Sequence, residues 1–231
     1  MSKVIVAIPA YNEALNLEKV IQDIEKNCPY DYVIINDCSK DDTIELCKKH
    51  HWNYLSLPVN YGLTSVVQLG MKYAKIYDYD VAIQFDGDGQ HEAKYLKPLV
   101  DEIEKGQDVV IGSRFVKAKK NRSARMLGNS LISGLIKLTT GKTIKDPTSG
   151  MRAYGAKPIN DFVYNDSLSP EPDTMVFFFK RGYKIKEIQV KMREREFGQS
   201  YLTLTKSIAY MAKILFSIIF VRNFTRKEKK Q

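Results

Sequence analysis

An α/β fold built on a mostly parallel sheet is predicted by three features of this 231-residue chain. Short β-branched runs alternate with segments whose apolar residues recur at helical spacing, the pattern of βαβ units. The runs are apolar on both faces, as in a parallel sheet covered by helices on either side. Polar clusters follow successive runs, and in such sheets ligands bind beyond the carboxyl ends of the strands.

Val4–Ile8 reads as a first strand ended by Pro9, and Leu17, Val20, Ile21 and Ile24 mark the helix after it. Tyr32–Ile35 is a second strand, followed by a helix that starts at Asp41 or Asp42 and contains Ile44, Leu46 and Cys47. Tyr54–Leu57, Val81–Phe85 and Val109–Ile111 are further strands, with helices over Leu63–Tyr77 and Tyr95–Ile103 between them. Beyond residue 114 the pattern loosens. Lys117–Arg122 is a basic loop, Leu127–Leu138 a helix, Met151–Tyr154 a short strand, Met175–Phe179 an apolar helix segment and Ile185–Val190 a strand. Ser207–Val221 is a long apolar helix followed by a basic tail, Arg222–Lys230. The chain divides into a domain over residues 1–203 and a C-terminal amphipathic helix with its tail over 204–231.

A hydrophobic content of 44% supports a sizeable core and argues against disorder. The net charge of +9 is unevenly spread. Residues 1–113 carry 11 basic and 18 acidic side chains, residues 114–145 carry 9 basic and none acidic, and residues 180–231 carry 14 basic and 4 acidic. An acidic front with basic blocks behind it suits an anionic partner. Nucleic acid is disfavoured, because Phe115 is the sole aromatic in the 114–145 block and base stacking needs more. Cys28, Cys38 and Cys47 form no metal or CxxC spacing, and an odd count without a signal peptide fits a reducing cytosol. No window holds 18 uninterrupted apolar residues, so no spanning helix is expected.

Asp86-Gly87-Asp88 places two carboxylates one residue apart at a strand end, where they can converge on a hard cation such as Mg²⁺ or Mn²⁺. A plain polar turn has the same sequence. Gln90 and His91 add ligand options. Asn36-Asp37-Cys38-Ser39 could bond a base or ribose, or Ser39 or Asp41 could cap the following helix. Arg114 and Arg125 carry forks suited to phosphate oxygens, whereas most lysines of that block read as solvated. In the last helix Lys206, Tyr210, Lys213 and Ser217 form a polar stripe on an otherwise apolar surface. Ile208–Val221 would span only about 21 Å, short of the roughly 30 Å hydrocarbon core. The helix is read as lying in the interface, with Arg222, Arg226, Lys227, Lys229 and Lys230 on anionic headgroups. The alternative is docking on its own domain or on a partner.

Six motifs together resemble family 2 glycosyltransferases of the GT-A (Rossmann-like) fold, and more closely the polyprenyl-phosphate branch that includes dolichyl-phosphate mannose synthase. They are Ile8-Pro9-Ala10-Tyr11-Asn12-Glu13, Asn36-Asp37-Cys38-Ser39, Phe85 to His91, Gly112-Ser113-Arg114, Asp146 to Arg152 and Arg195 to Ser200, in family order. The resemblance implies that Pro9, Tyr11, Glu13 and Asp37 line the base and ribose of a nucleotide sugar. It implies that Asp86, Asp88 and Gln90 hold a divalent metal and the diphosphate, and that Arg114, Arg125 and Asn129 face an acceptor phosphate. Asp146 would lie near the donor sugar or metal, and Arg195 and Ser200 would close over the diphosphate. The chain departs from the family where Asn36 replaces a frequent Asp, and where Leu63 and Tyr201 stand at frequent Lys positions.

The expected activity is inverting transfer of glucose or N-acetylglucosamine from a UDP-sugar to undecaprenyl phosphate, for bacterial cell-surface polysaccharide. It would run at the cytoplasmic face of the cell membrane, beside an anionic surface and a small membrane-protein partner or a second copy. A second reading keeps the fold and extends a lipid-linked glycan by a rhamnosyl or glucosyl unit on a hydroxyl, with Asp146 or Glu171 as base. A third is a non-catalytic membrane-surface binding module, against which the intact Asp86 and Asp88 argue.

Overall fold

The computed structural model describes residues 2–117, 124–194 and 204–221, without the side chains of 124, 125, 204–208 and 221. Seven strands form one sheet: β1 Val4–Ala10, β2 Asp31–Asn36, β3 Tyr54–Ser56, β4 Val81–Gln84, β5 Val109–Ser113, β6 Arg152–Tyr154 and β7 Ile185–Gln189. Their order is β3-β2-β1-β4-β6-β5-β7, parallel throughout except β6, which runs antiparallel between β4 and β5. The GT-A-like α/β architecture expected from the sequence is the one observed.

The alternation of strand side chains builds two cores. Val4, Val6, Ile8 and Ala10 point to one face of β1, against Leu17, Val20, Ile21 and Ile24 of α1 (Ala14–Asn27). Cys47 of α2 (Thr43–Lys49) and Leu96, Leu99 and Val100 of α4 (Leu96–Glu104) join the same cluster. Ile5 and Ala7 point the other way, against Val66, Val67, Met71 and Ala74 of α3 (Leu63–Ile76). Ile159 and Phe162 of α6 (Ala156–Tyr164) and Met175 and Phe178 of α7 (Pro172–Lys180) complete that layer. Gly70 lets α3 close on β1: a Cβ there would sit 2.8 Å from Ala7 Cβ and 3.3 Å from Ile35 Cδ1. Ala7 Cβ is fixed to the β1 backbone and cannot swing away, so Gly70→Val should cost about 2–3 kcal/mol of overpacking strain. A thermal melt should show a Tm lower by roughly 4–10 °C. A Tm unchanged within a degree would mean that α3 is free to shift.

Several elements differ from the sequence reading. β1 does not stop at Pro9. It continues to Ala10, pairing Pro9 with Ile35 of β2, whereas its pairing with β4 ends at Ala7. Pro9 thus lies where β1 has lost one neighbour, and its missing N–H breaks no bond to β4. Helix α6 was not expected. It is short, and Pro158 stands in its first turn. Helix α7 begins three residues earlier than expected, at Pro172, with Asp173 in its first turn.

The C-terminal helix α8 (Leu204–Phe216) continues as a π-helical turn, Ser217–Val221. It packs on α5 (Ala124–Thr140) and α7 through Ile132, Ile136, Val176, Ile214 and Ile218, all buried. Two residues of its expected polar stripe turn inward: the Tyr210 hydroxyl donates to Glu171 Oε2, and Ser217 Oγ donates to Asp173 Oδ2 (2.6 Å). Among the described residues no helix is long and apolar enough to cross a membrane.

Candidate active site

The carboxyl ends of β1, β2 and β4 lie side by side, so the polar segments after them meet at one edge. The β1 and β2 loops are stapled together. The Asn12 amide donates to Ser39 Oγ (2.9 Å), the Lys40 amide to Asn12 Oδ1 (2.8 Å) and the Glu13 amide to Thr43 Oγ1 (3.1 Å). Glu13, nearly buried, accepts from Asn16 Nδ2 at 2.7 Å, while Tyr11 is 39% exposed at the rim. Of the two capping candidates, Asp41 accepts the Thr43 amide on Oδ1 (3.1 Å), but it stands one residue ahead of the cap position, which Asp42 occupies.

Asp37 is buried, and it accepts the Tyr61 amide on Oδ1 (2.7 Å) and the Gly62 amide on Oδ2 (2.8 Å). It thereby fixes the turn that opens α3, where Gly62 has φ +82° and a side chain would be strained. That clamp was not foreseen in the sequence. Its cue was the nearby Asn60-Tyr61-Gly62 turn.

Beyond β4, Asp86-Gly87-Asp88 packs beneath the end of β1. The Gly87 amide donates to Pro9 O (3.3 Å), and a Cβ on Gly87 would meet that oxygen at 2.9 Å. Asp88 Oδ1 accepts from the Gln90 amide (3.0 Å), and Gln90 O accepts from the Arg193 amide (2.8 Å). Asp86 Oδ2 lies 3.4 Å from Nε2 of the buried His91. Burial pushes the Asp86 carboxyl up, but His91 first, then Gln84 and Arg152, hold it below the usual carboxylate range. A Cβ at Gly150 would stand 2.0 Å from Asp86 Oδ2, so only glycine leaves that oxygen its place.

Antiparallel β6 explains why Gly150 is there. Its N-terminal end sits at the same edge as the carboxyl ends of its parallel neighbours, with Arg152 opposite both Gln84 and Ile111. The turn before β6 therefore joins the site. Arg152 is buried and donates to three backbone carbonyls, Ser149 O (2.9 Å), Pro170 O (2.8 Å) and Pro147 O (2.7 Å). The sequence reading quoted Arg152 within a motif but gave it no role. Its partners come from two loops that spacing alone does not bring together.

A second cluster stands beyond β5. Arg114 forks Asp146 through Nε to Oδ2 and Nη2 to Oδ1, both 2.7 Å, and its own amide also donates to Oδ2 (3.0 Å). Asn129 Nδ2 bonds Asp146 Oδ1 (3.1 Å) and Thr148 Oγ1 (2.9 Å). Asp146 has no exposed surface. Burial works to raise its carboxyl, but Arg114 and then Asn129 hold it below the usual range.

The structure thus brings Pro9, Tyr11, Glu13, Asp37, Asp86, Asp88 and Gln90 to one edge, and ties Arg114, Asn129 and Asp146 into one network beside it. Arg125 lies in the first turn of α5, its side chain not described, and Arg195 and Ser200 fall outside the described residues. Glu171 is raised by burial despite the Tyr210 bond, and with Asp173, Lys213 and Ser217 it lines a cavity of ≈ 270 Å³.

Among the described residues no three His, Cys, Asp or Glu side chains converge as a complete metal cage. The donor chemistry of Asp86 and Asp88 still suits Mg²⁺ or Mn²⁺, because such ions take one or two carboxylates and fill the remaining positions with water and substrate phosphates.

With this geometry in place, comparison with known proteins is decisive at the level of family. The sequence profile of Glycosyl transferase family 2 matches residues 5–163. The chain belongs to that family. An uncharacterized protein of Methanocaldococcus jannaschii is 31% identical, over 94% of this chain and 99% of its own length. The undecaprenyl-phosphate 4-deoxy-4-formamido-L-arabinose transferase of Proteus mirabilis is 28% identical, over 93% of this chain and 67% of that one. The polyprenol monophosphomannose synthase of Mycolicibacterium smegmatis is 25% identical, over 87% and 81%. Among solved structures, glucosyl-3-phosphoglycerate synthase of Mycobacterium tuberculosis, crystallised with Mn²⁺, uridine diphosphate and phosphoglyceric acid, superposes with a TM-score of 0.70. That likeness covers 98% of this glycosyltransferase and 80% of the other at 15% identity, and it shows the shared fold.

Proposed function

We propose that this glycosyltransferase moves glucose or N-acetylglucosamine, with inversion, from a UDP-sugar to undecaprenyl phosphate at the cytoplasmic membrane face, in polysaccharide assembly or modification. The observation that carries the reading is the juxtaposition of the Asp86–Asp88 pair with the Arg114–Asp146–Asn129 network at one sheet edge. Carboxylates suited to a cation and a diphosphate stand beside a guanidinium suited to a second phosphate. Two of the relatives are named for polyprenyl-phosphate substrates or products, and they differ in their sugar.

In this reading Pro9, Tyr11, Glu13 and Asp37 line the base and ribose, and Asp86, Asp88 and Gln90 face the diphosphate. Bound there, Mg²⁺ or Mn²⁺ would stabilise the departing nucleoside diphosphate. Asp146 takes Nε and Nη2 of Arg114 and so fixes the plane of the guanidinium, leaving the edge that carries Nη1 to meet the acceptor phosphate. Arg125 and Asn129 flank that position, and Arg195 and Ser200 close over the donor. A phosphate monoester is largely dianionic near neutral pH, since its second pKa is about 6. Its oxygen attacks the anomeric carbon as the bond to the diphosphate breaks on the opposite side. The protein's work is alignment and charge stabilisation.

A hydroxyl acceptor would need a base instead. Asp146 is unsuited to that role, because both its oxygens are bonded and it has no exposed surface. The test is incubation of purified protein with Mn²⁺, a labelled panel of nucleotide sugars and undecaprenyl phosphate. An acid-labile glycolipid should form with a UDP-hexose. Its absence with every donor of the panel would refute the reading.

A further inference from the structure

The Arg152 guanidinium takes no part in the reaction proposed above, and a buried guanidinium is costly unless its donors are used. It is 1% exposed, and Nε, Nη1 and Nη2 donate to the main-chain carbonyls of Ser149, Pro170 and Pro147 at 2.9, 2.8 and 2.7 Å. Two of these carbonyls lie in the turn 146–151, where Pro147 and Ser149 alternate with Asp146, Thr148 and Gly150. The third leads into α7, so the turn is braced against a separate element. Gly150 is the member of the turn that meets Asp86: a Cβ there would stand 2.0 Å from Oδ2 and 2.9 Å from Cγ. On the other oxygen, Asp86 Oδ1 accepts from Gln84 Nε2 (3.4 Å), and Gln84 is the register partner of Arg152 across β4 and β6. The Asp86 carboxylate is thus set between Gln84, His91 and the backbone of Gly150, and Arg152 fixes where that backbone runs.

We propose that Arg152 is a positioning residue for the cation site: it braces the turn so that Gly150 keeps Asp86 Oδ2 where a divalent ion can use it. This rests on the metal role proposed for Asp86 above. Arg152 meets neither ion nor substrate and acts through Gly150. The same turn has other anchors. Ser149 Oγ donates to Gly112 O (2.6 Å), and Asn129 Nδ2 donates to Thr148 Oγ1 (2.9 Å). A substitution at Arg152 should therefore loosen the turn without unravelling it. Lysine keeps the charge, but one nitrogen does not replace three spread around a planar fork. Groups that orient a metal ligand from behind are worth about 10- to 100-fold in metal affinity.

Mn²⁺ binding in the presence of UDP, read from the free-ion electron paramagnetic resonance signal, tests this without turnover. Arg152→Lys should weaken Mn²⁺ by about 10- to 100-fold, at a temperature where circular dichroism shows a folded protein. Arg152→Gln, which leaves no unpaired charge in the core, is the second variant and should weaken it at least as much. Gly150→Ala displaces Asp86 directly and should cause a loss of the same order. Combined with Arg152→Lys it should cost no more than the worse single change, because both act through one carboxylate. Gly70→Val controls for stability: it should lower the Tm and keep wild-type Mn²⁺ affinity. Wild-type affinity in a folded Arg152 variant would overturn the proposal. Losses that multiply in the double variant, or an equal loss in Gly70→Val, would also overturn it. The transfer assay separates this from the proposed activity. A wild-type protein that binds Mn²⁺ in an Arg152-dependent way but makes no glycolipid supports the positioning role and refutes the transfer. A wild-type protein that makes the glycolipid, with Arg152→Lys matching it in rate and in Mn²⁺ affinity, refutes the positioning role alone.

Discussion

Asp88→Asn should lower kcat by about 10³-fold or more while leaving the melting curve in place. The substitution removes one negative charge and keeps the shape of the side chain. Asp88 Oδ1 accepts the Gln90 amide, and an asparagine oxygen can accept it equally well. The turn should keep its shape and the stability should move by less than about 0.5 kcal/mol. What is lost is charge where the diphosphate and its counter-ion gather. A thousandfold is about 4 kcal/mol of transition-state stabilisation, the scale expected when a cation is no longer held against a leaving group. Turnover within a fewfold of wild type would remove Asp88 from the chemistry. A large fall in Tm would instead mark Asp88 as a structural turn residue.

Arg114→Ala should destabilise the fold by about 3 kcal/mol, the scale of breaking a buried ion pair by removing one partner. For a chain of this size that is a Tm lower by roughly 6–12 °C. The reason is Asp146, which has no exposed surface and takes the guanidinium at 2.7 Å through two nitrogens. Without Arg114 a buried carboxylate stands uncompensated. The pH dependence follows from the sign of the shift. The folded-state value of Asp146 is depressed below 3.8, so the pair's contribution is complete above pH 3.8 and fades as pH falls through the lower, folded value. In the variant burial is opposed only by the residue-114 amide and Asn129, so the carboxyl is held down less and takes up its proton at a higher pH. The gap between the two proteins should therefore narrow as pH falls toward and through 3.8. Arg114→Ala/Asp146→Asn should be less destabilised than Arg114→Ala alone, which denaturant titration would read as a coupling energy. An Arg114→Ala protein as stable as wild type would mean that the fork is a surface contact without consequence.

These cases show what the sequence could and could not carry. β1, β2, β4 and β5 were legible because each is a short run rich in Val and Ile, and the polar edge was legible because parallel topology orders the loops. Asp86, Asp88, Arg114 and Asp146 were legible as motif members. That Asp146 would occupy the fork of Arg114 was not, because the two lie 32 residues apart and meet only when antiparallel β6 turns back into the edge. The role of Arg152 was hidden because its partners are backbone carbonyls, which every residue carries. The stripe on α8 was readable but its direction was not: Glu171 and Asp173 on another helix pull it inward. α6 escaped because it is only nine residues long and its first turn contains a proline.

The central claim is that a phosphate oxygen, rather than a hydroxyl, attacks the sugar. It is tested most directly by offering the purified protein, with Mn²⁺ and labelled UDP-hexose, undecaprenyl phosphate in one vessel and the matching free polyprenol in another, and reading the products by mass. A hexosyl phosphodiester is expected from the phosphate and nothing from the alcohol. A glycosylated alcohol, or no product from the phosphate while the alcohol reacts, would contradict it.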